Sequence, residues 1–185
     1  MTTVQDDRVG DPTTANGTQV VAAYRRHLSL GRAMFGEMTG SIVETRSAGA
    51  LIFDERGRDY LDCGGYGVFI HGHRHPTVLA AVQRQLEEHP LATRVLLEPV
   101  TARAATALAG VCPEGLDRVH FANSGAEAME TALKLARAHG KVSLVATHGG
   151  FHGKTLGALS ATGNPLYRDA FHPLLPDTCH VPYGD

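Results

Sequence analysis

The chain has 185 residues, of which 43% are hydrophobic and 19% are charged, and its formal net charge at pH 7 is −2. This size suffices for one ordinary soluble domain with a hydrophobic core. The near-neutral charge predicts no binding to nucleic acid or anionic membranes, and no apolar run approaches the roughly 20 residues of a membrane span. With three cysteines at no CxxC spacing and no secretory signal pattern, the sequence predicts a cytoplasmic protein with isolated thiols.

The N-terminal part predicts a flexible lead-in, one helix and a few short strands. Residues 1–18 are polar and predict a flexible N-terminus. Residues 19–34 carry apolar side chains at helical spacing. Short β-like runs follow at 41–45, 50–54 and 59–63, and the last two flank a turn typical of a hairpin.

A glycine-rich segment, 63–69, precedes three alternating histidines, His71, His73 and His75. The glycines indicate either a close backbone approach or a simple mobile turn. The histidines would lie on one side of a strand, as metal ligands sometimes do, but no further ligand at suitable spacing completes a site. The sequence therefore predicts no metal site.

Two helices are predicted in the middle of the chain. Pro76 is typical of a first helical position, and the apolar residues that follow it share one helix face. Residues 99–111 predict a second, alanine-rich helix. Neither helix carries residues that indicate chemistry.

The next motif has the order strand, turn, helix. The apolar run 117–122 predicts a buried strand, and Ser124 with Glu127 fits the capping box of a helix that starts there. Such a turn directs free backbone N–H groups and the positive end of a helix at an anion. Ser124, Gly125 and Ala126 are thus candidates for binding a phosphate, although many capped helices bind nothing.

A further strand is predicted at 142–147, after the helix. The order strand, helix, strand predicts a right-handed βαβ unit of an α/β sheet. Ligands of such sheets bind beyond the carboxyl ends of the strands. The turn at 124–126 and the segment 148–151 should therefore lie at one sheet edge.

Together these motifs resemble the class III aminotransferases. The resemblance rests on Asn-Ser-Gly-Ala-Glu-Ala at 123–128, Lys-Leu-Ala-Arg at 134–137 and the run 150–162. It extends from about Ile42 to the last residue. Within the family, the putrescine and ornithine-type members are the most similar.

The resemblance implies an α/β fold, namely an incomplete pyridoxal 5′-phosphate (PLP) transferase fold of type I. Residues 19–75 would form part of the small domain, and residues 76–185 the first part of the large domain with its mixed or parallel sheet. PLP would be the cofactor, and the substrates would be an amine or ω-amino donor and a 2-oxo acid acceptor.

The resemblance also implies roles for single residues. Phe151 would stack on the pyridine ring, with core packing as the alternative. His152 would orient its loop, and Tyr66 and Lys154 could contact the substrate. The residues expected to bind the cofactor are Ser124, Gly125, Ala126, Phe151 and His152.

The lysine that holds PLP as a Schiff base has no counterpart in this sequence. The only lysines are Lys134, Lys141 and Lys154, and none matches the position of that lysine in the family. The resemblance therefore implies the N-terminal part of an aminotransferase, with no catalytic residue of its own.

Three interpretations follow. The chain could be part of an aminotransferase that forms a homodimer or associates with a complementary C-terminal polypeptide. It could instead be a non-catalytic PLP-binding or assembly subunit. An unrelated nucleotide-binding α/β domain is disfavoured, because the sequence lacks both Gly-x-Gly-x-x-Gly and the P-loop pattern.

Overall fold

The computed structural model describes residues 16–65, 67–93 and 95–184. Contacts divide the chain into two compact units, Met1–Arg94 and Val95–Asp185. The domain division at residues 75 and 76 stays a prediction. Within the described ranges, no helix is both long enough and apolar enough to cross a membrane.

The first unit begins with two helices, α1 (Gly17–His27) and α2 (Leu30–Met38). The prediction of one helix over 19–34 is therefore wrong. Ser29 interrupts it, because its backbone is extended and its hydroxyl oxygen accepts the Arg32 N–H at 3.3 Å, which starts a new helix. The last residues of the segment predicted to be flexible, 17–18, belong to α1, and the residues before Asn16 lie outside the described ranges.

An antiparallel sheet follows, with strand order β1 (Glu44–Ala48), β2 (Leu51–Asp54) and β3 (Asp59–Leu61). This confirms the predicted hairpin between β2 and β3. Its turn passes through Gly57, whose φ of 78° suits glycine. The sheet and its turn are formed by local pairing alone.

Asp54 holds the hairpin turn together. Its carboxylate accepts the N–H groups of Arg56 and Arg58 at 2.9 Å, the Arg58 Nε–H at 2.7 Å and the Tyr60 hydroxyl at 3.0 Å. Burial, which leaves Asp54 3% exposed, raises its pKa, but these hydrogen bonds outweigh burial and lower the pKa to about 2. Both carboxylate oxygens of Asp54 thus accept two hydrogen bonds each, and the residue has a structural role in the turn.

The histidine segment precedes helix α3 (Pro76–Glu88), which confirms the predicted helix after Pro76. His73 Nε2 lies 2.7 Å from Asp62 Oδ2, and the His73 ring stacks on Phe69 at 3.9 Å between centroids. The hydrogen bond to His73 and the Gly64 N–H lower the pKa of Asp62. Among the residues that the structure describes, no three His, Cys, Asp or Glu side chains cluster closely enough to hold a metal ion.

The second unit contains four helices, one 3₁₀ turn and two strands among its described residues. In chain order these are α4 (Pro99–Ala109), α5 (Gly125–Ala138), β4 (Leu144–Thr147), α6 (Leu156–Ala161), α7 (Pro165–Arg168), the 3₁₀ turn (Asp169–Phe171) and β5 (Thr178–Val181). The predictions of α4, α5 and β4 are confirmed.

The parallel pairing in this unit differs from the prediction. Strand β4 pairs with β5, with Leu144 opposite Thr178, and the connection contains α6 and α7. The strand predicted at 117–122 is wrong: the segment pairs with no strand in the described part of the chain, and most of its side chains are exposed. A strand depends on a neighbour that completes its hydrogen bonds, and an apolar run alone does not specify one.

Helix α6 forms the buried centre of the second unit. Ala158, Leu159 and Ala161, together with Ser160 and the following Thr162, are almost completely buried, whereas Leu156 at the start of the helix is exposed. The helix contacts α5, α7 and both strands. Ser160 Oγ donates to the Leu156 carbonyl at 2.8 Å and accepts the Leu175 N–H at 2.9 Å, which ties the connection to β5 onto the helix.

Candidate functional site

Helix α5 begins at the predicted N-cap, Ser124, but the return bond of Glu127 goes to Asn123 and not to the Ser124 N–H of a standard capping box. Ser124 Oγ accepts the Glu127 N–H at 3.2 Å, and Glu127 Oε2 accepts the Asn123 N–H at 2.7 Å. For the N–H groups of Gly125 and Ala126, no acceptor among the described residues lies within hydrogen-bond distance. These two donors and the positive helix end are therefore free to bind an anion.

The loop after β4 packs against the first turn of α5. Gly153 has a φ of 128°, and a Cβ at this position would lie 2.6 Å from the Cβ of Ala126. Only glycine permits both the backbone conformation and this approach. The close packing brings Phe151 to the start of α5.

The buried hydroxyl group of Thr162 also forms hydrogen bonds with the loop after β4. Thr162 Oγ1 accepts the His152 N–H at 3.1 Å and lies 3.1 Å from the Gly153 carbonyl and 3.2 Å from the Ala158 carbonyl. Its single hydrogen can be donated to either carbonyl. The conformation of residues 152–153 thus depends on Thr162.

Glu130 joins α5 to α6. Its Oε1 accepts the N–H groups of Gly157 at 2.9 Å and Ala158 at 3.2 Å, at the N-terminus of α6. A carboxylate at this end of a helix is also favoured by the helix dipole. The loop between β4 and α6 is therefore held against α5 at Gly153, and α6 itself is held there at Gly157.

The first turns of α5 and the loop after β4 enclose an open cleft of about 540 Å³. Four of the five residues predicted to bind the cofactor line this cleft. The fifth, Ser124, is the residue before Gly125 in the sequence and does not line it. Lys154 also lines it, whereas Tyr66 lies outside the described residues. The lining residues are Gly125, Ala126, Met129, Phe151, His152, Gly153 and Lys154.

Phe151 presents its ring to this cleft. The side chain is 58% exposed, so it is not a core residue in this chain. Its ring lies 5.8 Å from the Tyr167 ring, centroid to centroid, with an angle of 75° between the planes. In this edge-to-face arrangement Tyr167 covers at most one face of the Phe151 ring, so the other face is available for a flat ligand.

The charges around the cleft favour an anion. Lys154 Nζ lies 5.2 Å from the centroid of the Tyr167 ring, and no carboxylate forms an ion pair with it within the described ranges. The carboxylates of Glu127 and Glu130 accept backbone N–H groups, of Asn123 and of α6 respectively, and neither forms an ion pair with Lys154. Lys154 is thus a cation at the cleft that no carboxylate within the described ranges neutralises.

Two further clefts among the described residues, both in the first unit, have different linings. A cleft of about 660 Å³ in the first unit lies between α1, α2 and β1, and none of the predicted site residues lines it. Sequence reasoning did not identify Thr162, Glu130 or Tyr167 as residues that support the site. The position of Glu130, four residues after Ala126 and so on the same face of α5, was the available signal.

Comparison with known proteins identifies relatives of the chain. The family described as Aminotransferase class-III matches residues 35–185. The chain is 43% identical over 186 residues to a putrescine aminotransferase of Pectobacterium atrosepticum. The match covers 95% of this chain and 40% of the relative. The chain thus spans about 40% of the length of this curated relative.

Solved aminotransferase structures are also similar to this chain, again over about two fifths of their own length. An (S)-enantioselective omega-transaminase from Thermomicrobium roseum has a TM-score of 0.78 and 31% identity, with 91% of this chain and 40% of that chain covered. An ornithine aminotransferase from Toxoplasma gondii, with partial occupancy of PLP at its active site, has a TM-score of 0.69 and 27% identity, with 92% and 44% covered. These overlaps confirm the predicted α/β fold as part of a larger one.

Proposed function

Because the chain belongs to the class III aminotransferases, we propose that it forms the N-terminal part of an enzyme that transfers an amino group from an amine or ω-amino donor to a 2-oxo acid. PLP is the cofactor of this family. The relative named putrescine aminotransferase supports a diamine donor, and the ornithine aminotransferase supports an ω-amino group as the reacting amine. The observation that carries the proposal is the cleft between the N-terminus of α5 and Phe151.

The residues of the cleft fit PLP. The phosphate needs donors and positive potential, which the N–H groups of Gly125 and Ala126 and the end of α5 provide. A Cβ at Gly125 would meet no atom within 4 Å, so space for a ligand lies beside these donors. When bound, PLP supplies the ring and carbonyl group through which an amino group is transferred.

Each predicted cofactor residue has a definite task in this proposal. Ser124 holds the start of α5, and Gly125 and Ala126 donate to the phosphate. Phe151 packs its exposed face against the pyridine ring. His152 fixes the loop through its N–H group, which donates to Thr162.

Lys154 is proposed to contact the substrate. Lys154 lines the cleft, and its ammonium has three donors on a flexible stem, so it suits a single carboxylate oxygen of the 2-oxo acid and not a bidentate contact. Tyr66, the other residue predicted to contact the substrate, is proposed only on the family resemblance.

The lysine that binds PLP covalently is proposed to come from a part of the fold that this sequence does not include. Lys134 lies within α5 and Lys141 follows it, and neither lines the cleft. The transfer itself balances without an external oxidant: the donor carbon is oxidised to a carbonyl, and the acceptor carbonyl is reduced to an amine.

Association with further polypeptide is part of the proposal. Val95, Leu96 and Leu97 are each at least 75% exposed, and many other large apolar side chains are about half exposed or more. Such surfaces favour burial against another chain or another part of the same fold. A homodimer partner or a complementary C-terminal polypeptide would provide that burial.

The alternative is a non-catalytic subunit that binds PLP or only assembles with a partner. It is supported by the three lysines, none of which matches the position of the covalent lysine in the family. Both proposals use the same cleft, and they differ in whether amino transfer occurs when the rest of the fold is present.

The experiment that tests the proposed cofactor site is a titration of the purified chain with 4′-deoxypyridoxine 5′-phosphate. This probe has no aldehyde, so its binding does not require a lysine. We expect it to bind at least about 10-fold more tightly than 4′-deoxypyridoxine, because helix N-termini favour phosphate. Equal binding of the two compounds would overturn the phosphate assignment.

Amino transfer is tested by adding a polypeptide that carries the remainder of a class III fold, including its lysine. With PLP added, putrescine and a 2-oxo acid should then yield an aminoaldehyde and an amino acid, and each separate polypeptide should yield neither. Formation of a stable complex without any amino transfer would favour the non-catalytic alternative.

A further inference from the structure

Tyr167 contacts two residues of the cleft without lining it. Its ring meets the Phe151 ring at 5.8 Å and lies 5.2 Å from Lys154 Nζ. We propose that Tyr167 is a positioning residue that orients Phe151 toward the cofactor and holds the Lys154 ammonium above the cleft. This inference rests on the proposed function.

The backbone around Tyr167 is fixed. Tyr167 lies in the short helix α7, whose N-cap is Asn164. Asn164 Oδ1 accepts the Leu166 N–H at 3.0 Å, and the Asn164 carbonyl accepts the Tyr167 N–H at 3.2 Å. The tyrosine ring is therefore presented from a capped turn and not from a free loop.

A backbone hydrogen bond joins the segment that precedes Phe151 to the segment that precedes α7. The Gly163 N–H donates to the Gly150 carbonyl at 2.7 Å. Gly163 also approaches the Thr147 carbonyl at the end of β4 so closely that a Cβ would clash there. Since this hydrogen bond ties the two backbones together next to Phe151, the distance between the two rings is set by the fold.

The geometry of the ring pair suits a platform for a flat ligand. The angle of 75° between the planes is the edge-to-face arrangement that aromatic pairs prefer. It restricts rotation of the Phe151 ring, and it leaves at least one face of that ring uncovered. Tyr167 can thus pre-organise the stacking surface before the cofactor arrives.

The contact with Lys154 is a cation–π interaction, because the ammonium lies within about 6 Å of the ring centroid. Such a contact orients the charge without neutralising it, whereas a carboxylate partner would compete with an anionic ligand. Tyr167 therefore links the stacking residue and the cation of one cleft.

The Lys154 contact can be tested without any cofactor. The sequence has three lysines, so reductive methylation with ¹³C gives three lysine signals, and Lys134 and Lys141 serve as internal controls. We expect the ring current of Tyr167 to shift the Lys154 signal upfield. The shift should persist in Tyr167→Phe and disappear in Tyr167→Leu.

The Phe151 contact is tested with 4′-deoxypyridoxine 5′-phosphate in a double-mutant cycle. Tyr167→Leu should weaken binding roughly 2- to 10-fold, the range of an aromatic pair, and Tyr167→Phe should bind like the parent. In a Phe151→Leu background, Tyr167→Leu should cause less than half of that loss, because its action passes through Phe151. Tyr183→Leu, on an exposed tyrosine outside the cleft, controls for loss of a ring.

The outcomes separate this inference from the proposed function. An unshifted Lys154 signal in the parent chain, a shift that survives in Tyr167→Leu, or fully additive losses in the cycle would each overturn the role of Tyr167. If the parent chain does not bind the probe, the proposed cofactor site fails in this chain, and the methylation spectra alone decide the position of Lys154. A Tyr167→Leu variant that does not fold is replaced by Tyr167→Met, with the same expected results.

Discussion

The hairpin of the first unit and the cleft of the second unit use polar groups in opposite ways. In the hairpin, the Asp54 carboxylate is buried and accepts from Arg56, Arg58 and Tyr60. In the cleft, the buried polar residue Thr162 accepts the His152 N–H and so supports the loop, while the N–H groups of Gly125 and Ala126 form no hydrogen bond within the described part of the chain.

The difference distinguishes a structural polar cluster from a candidate ligand site. A cluster that satisfies all of its own hydrogen bonds stabilises a turn and has no free donor for a ligand. A site keeps free donors, an exposed ring and an unneutralised cation on a rigid support. The following predictions test this distinction and run from the largest expected effect on stability to the smallest.

Gly153→Ala should destabilise the second unit by about 2–5 kcal/mol. A positive φ costs an alanine roughly 1–2 kcal/mol, and the clash with Ala126 adds roughly 1–3 kcal/mol. Gly149→Ala is the matched control, because Gly149 also has a positive φ, of 73°, but an added Cβ would meet no atom within 4 Å. Urea unfolding of both variants measures the difference, and equal losses would show that the loop does not pack tightly on α5.

Thr162→Val should cost about 1–3 kcal/mol, because it leaves the partly buried His152 N–H without its acceptor. Amide hydrogen exchange of His152 should accelerate, and Thr162→Ser should restore most of the protection. Thr106→Val removes an exposed hydroxyl that donates to the Ala102 carbonyl within α4 and should change stability by about 0.5 kcal/mol or less. Similar effects of the valine variants at 162 and 106 would contradict the supporting role of Thr162.

Asp54→Asn should remove an acid-dependent contribution to the stability of the hairpin. The folded-state pKa of about 2 lies below the unfolded value, so this contribution is complete above about pH 4 and is lost as the pH falls toward 2. The Tyr60 ring signals in NMR spectra, followed from pH 5 to pH 2, should reveal this loss in the parent chain and not in Asp54→Asn. Asp117→Asn, at an exposed carboxylate, should behave like the parent chain.

Phe151→Ala should leave stability nearly unchanged and yet weaken the binding of 4′-deoxypyridoxine 5′-phosphate about 3- to 10-fold. Phe171→Ala is the matched control, since Phe171 is 57% exposed against 58% for Phe151 and does not line the cleft. Equal affinities of the two variants, measured by calorimetry, would exclude Phe151 as the stacking residue.

Local signals in the sequence predicted the parts of the fold that depend on neighbouring residues. The N-cap of α5 at Ser124 and the hairpin around Gly57 involve contacts within a few positions. The strand predicted at 117–122 failed, because an apolar run does not reveal which neighbour would pair with it. Strand β5 was missed for the same reason, since its partner β4 lies about 30 residues earlier.

The sequence likewise predicted the segments that form the candidate site but not the long-range contacts that support it. Family resemblance pointed to the segments around Ser124 and Phe151, and the fold brings both to one cleft. The supporting contacts of Thr162, Glu130 and Tyr167 join residues 10 to 28 positions apart, and they emerge only from tertiary packing. A buried threonine or an acid that caps a distant helix has no signature in a single sequence.

The most direct test of the central proposal is to add PLP to the purified chain, reduce it with borohydride and determine the intact mass. Borohydride traps any covalent bond between PLP and a lysine. We expect the unmodified mass or partial labelling spread over several amines, because none of the three lysines matches the covalent lysine of the family. A single stoichiometric adduct at Lys154 would contradict the proposal and show that this chain supplies its own covalent lysine.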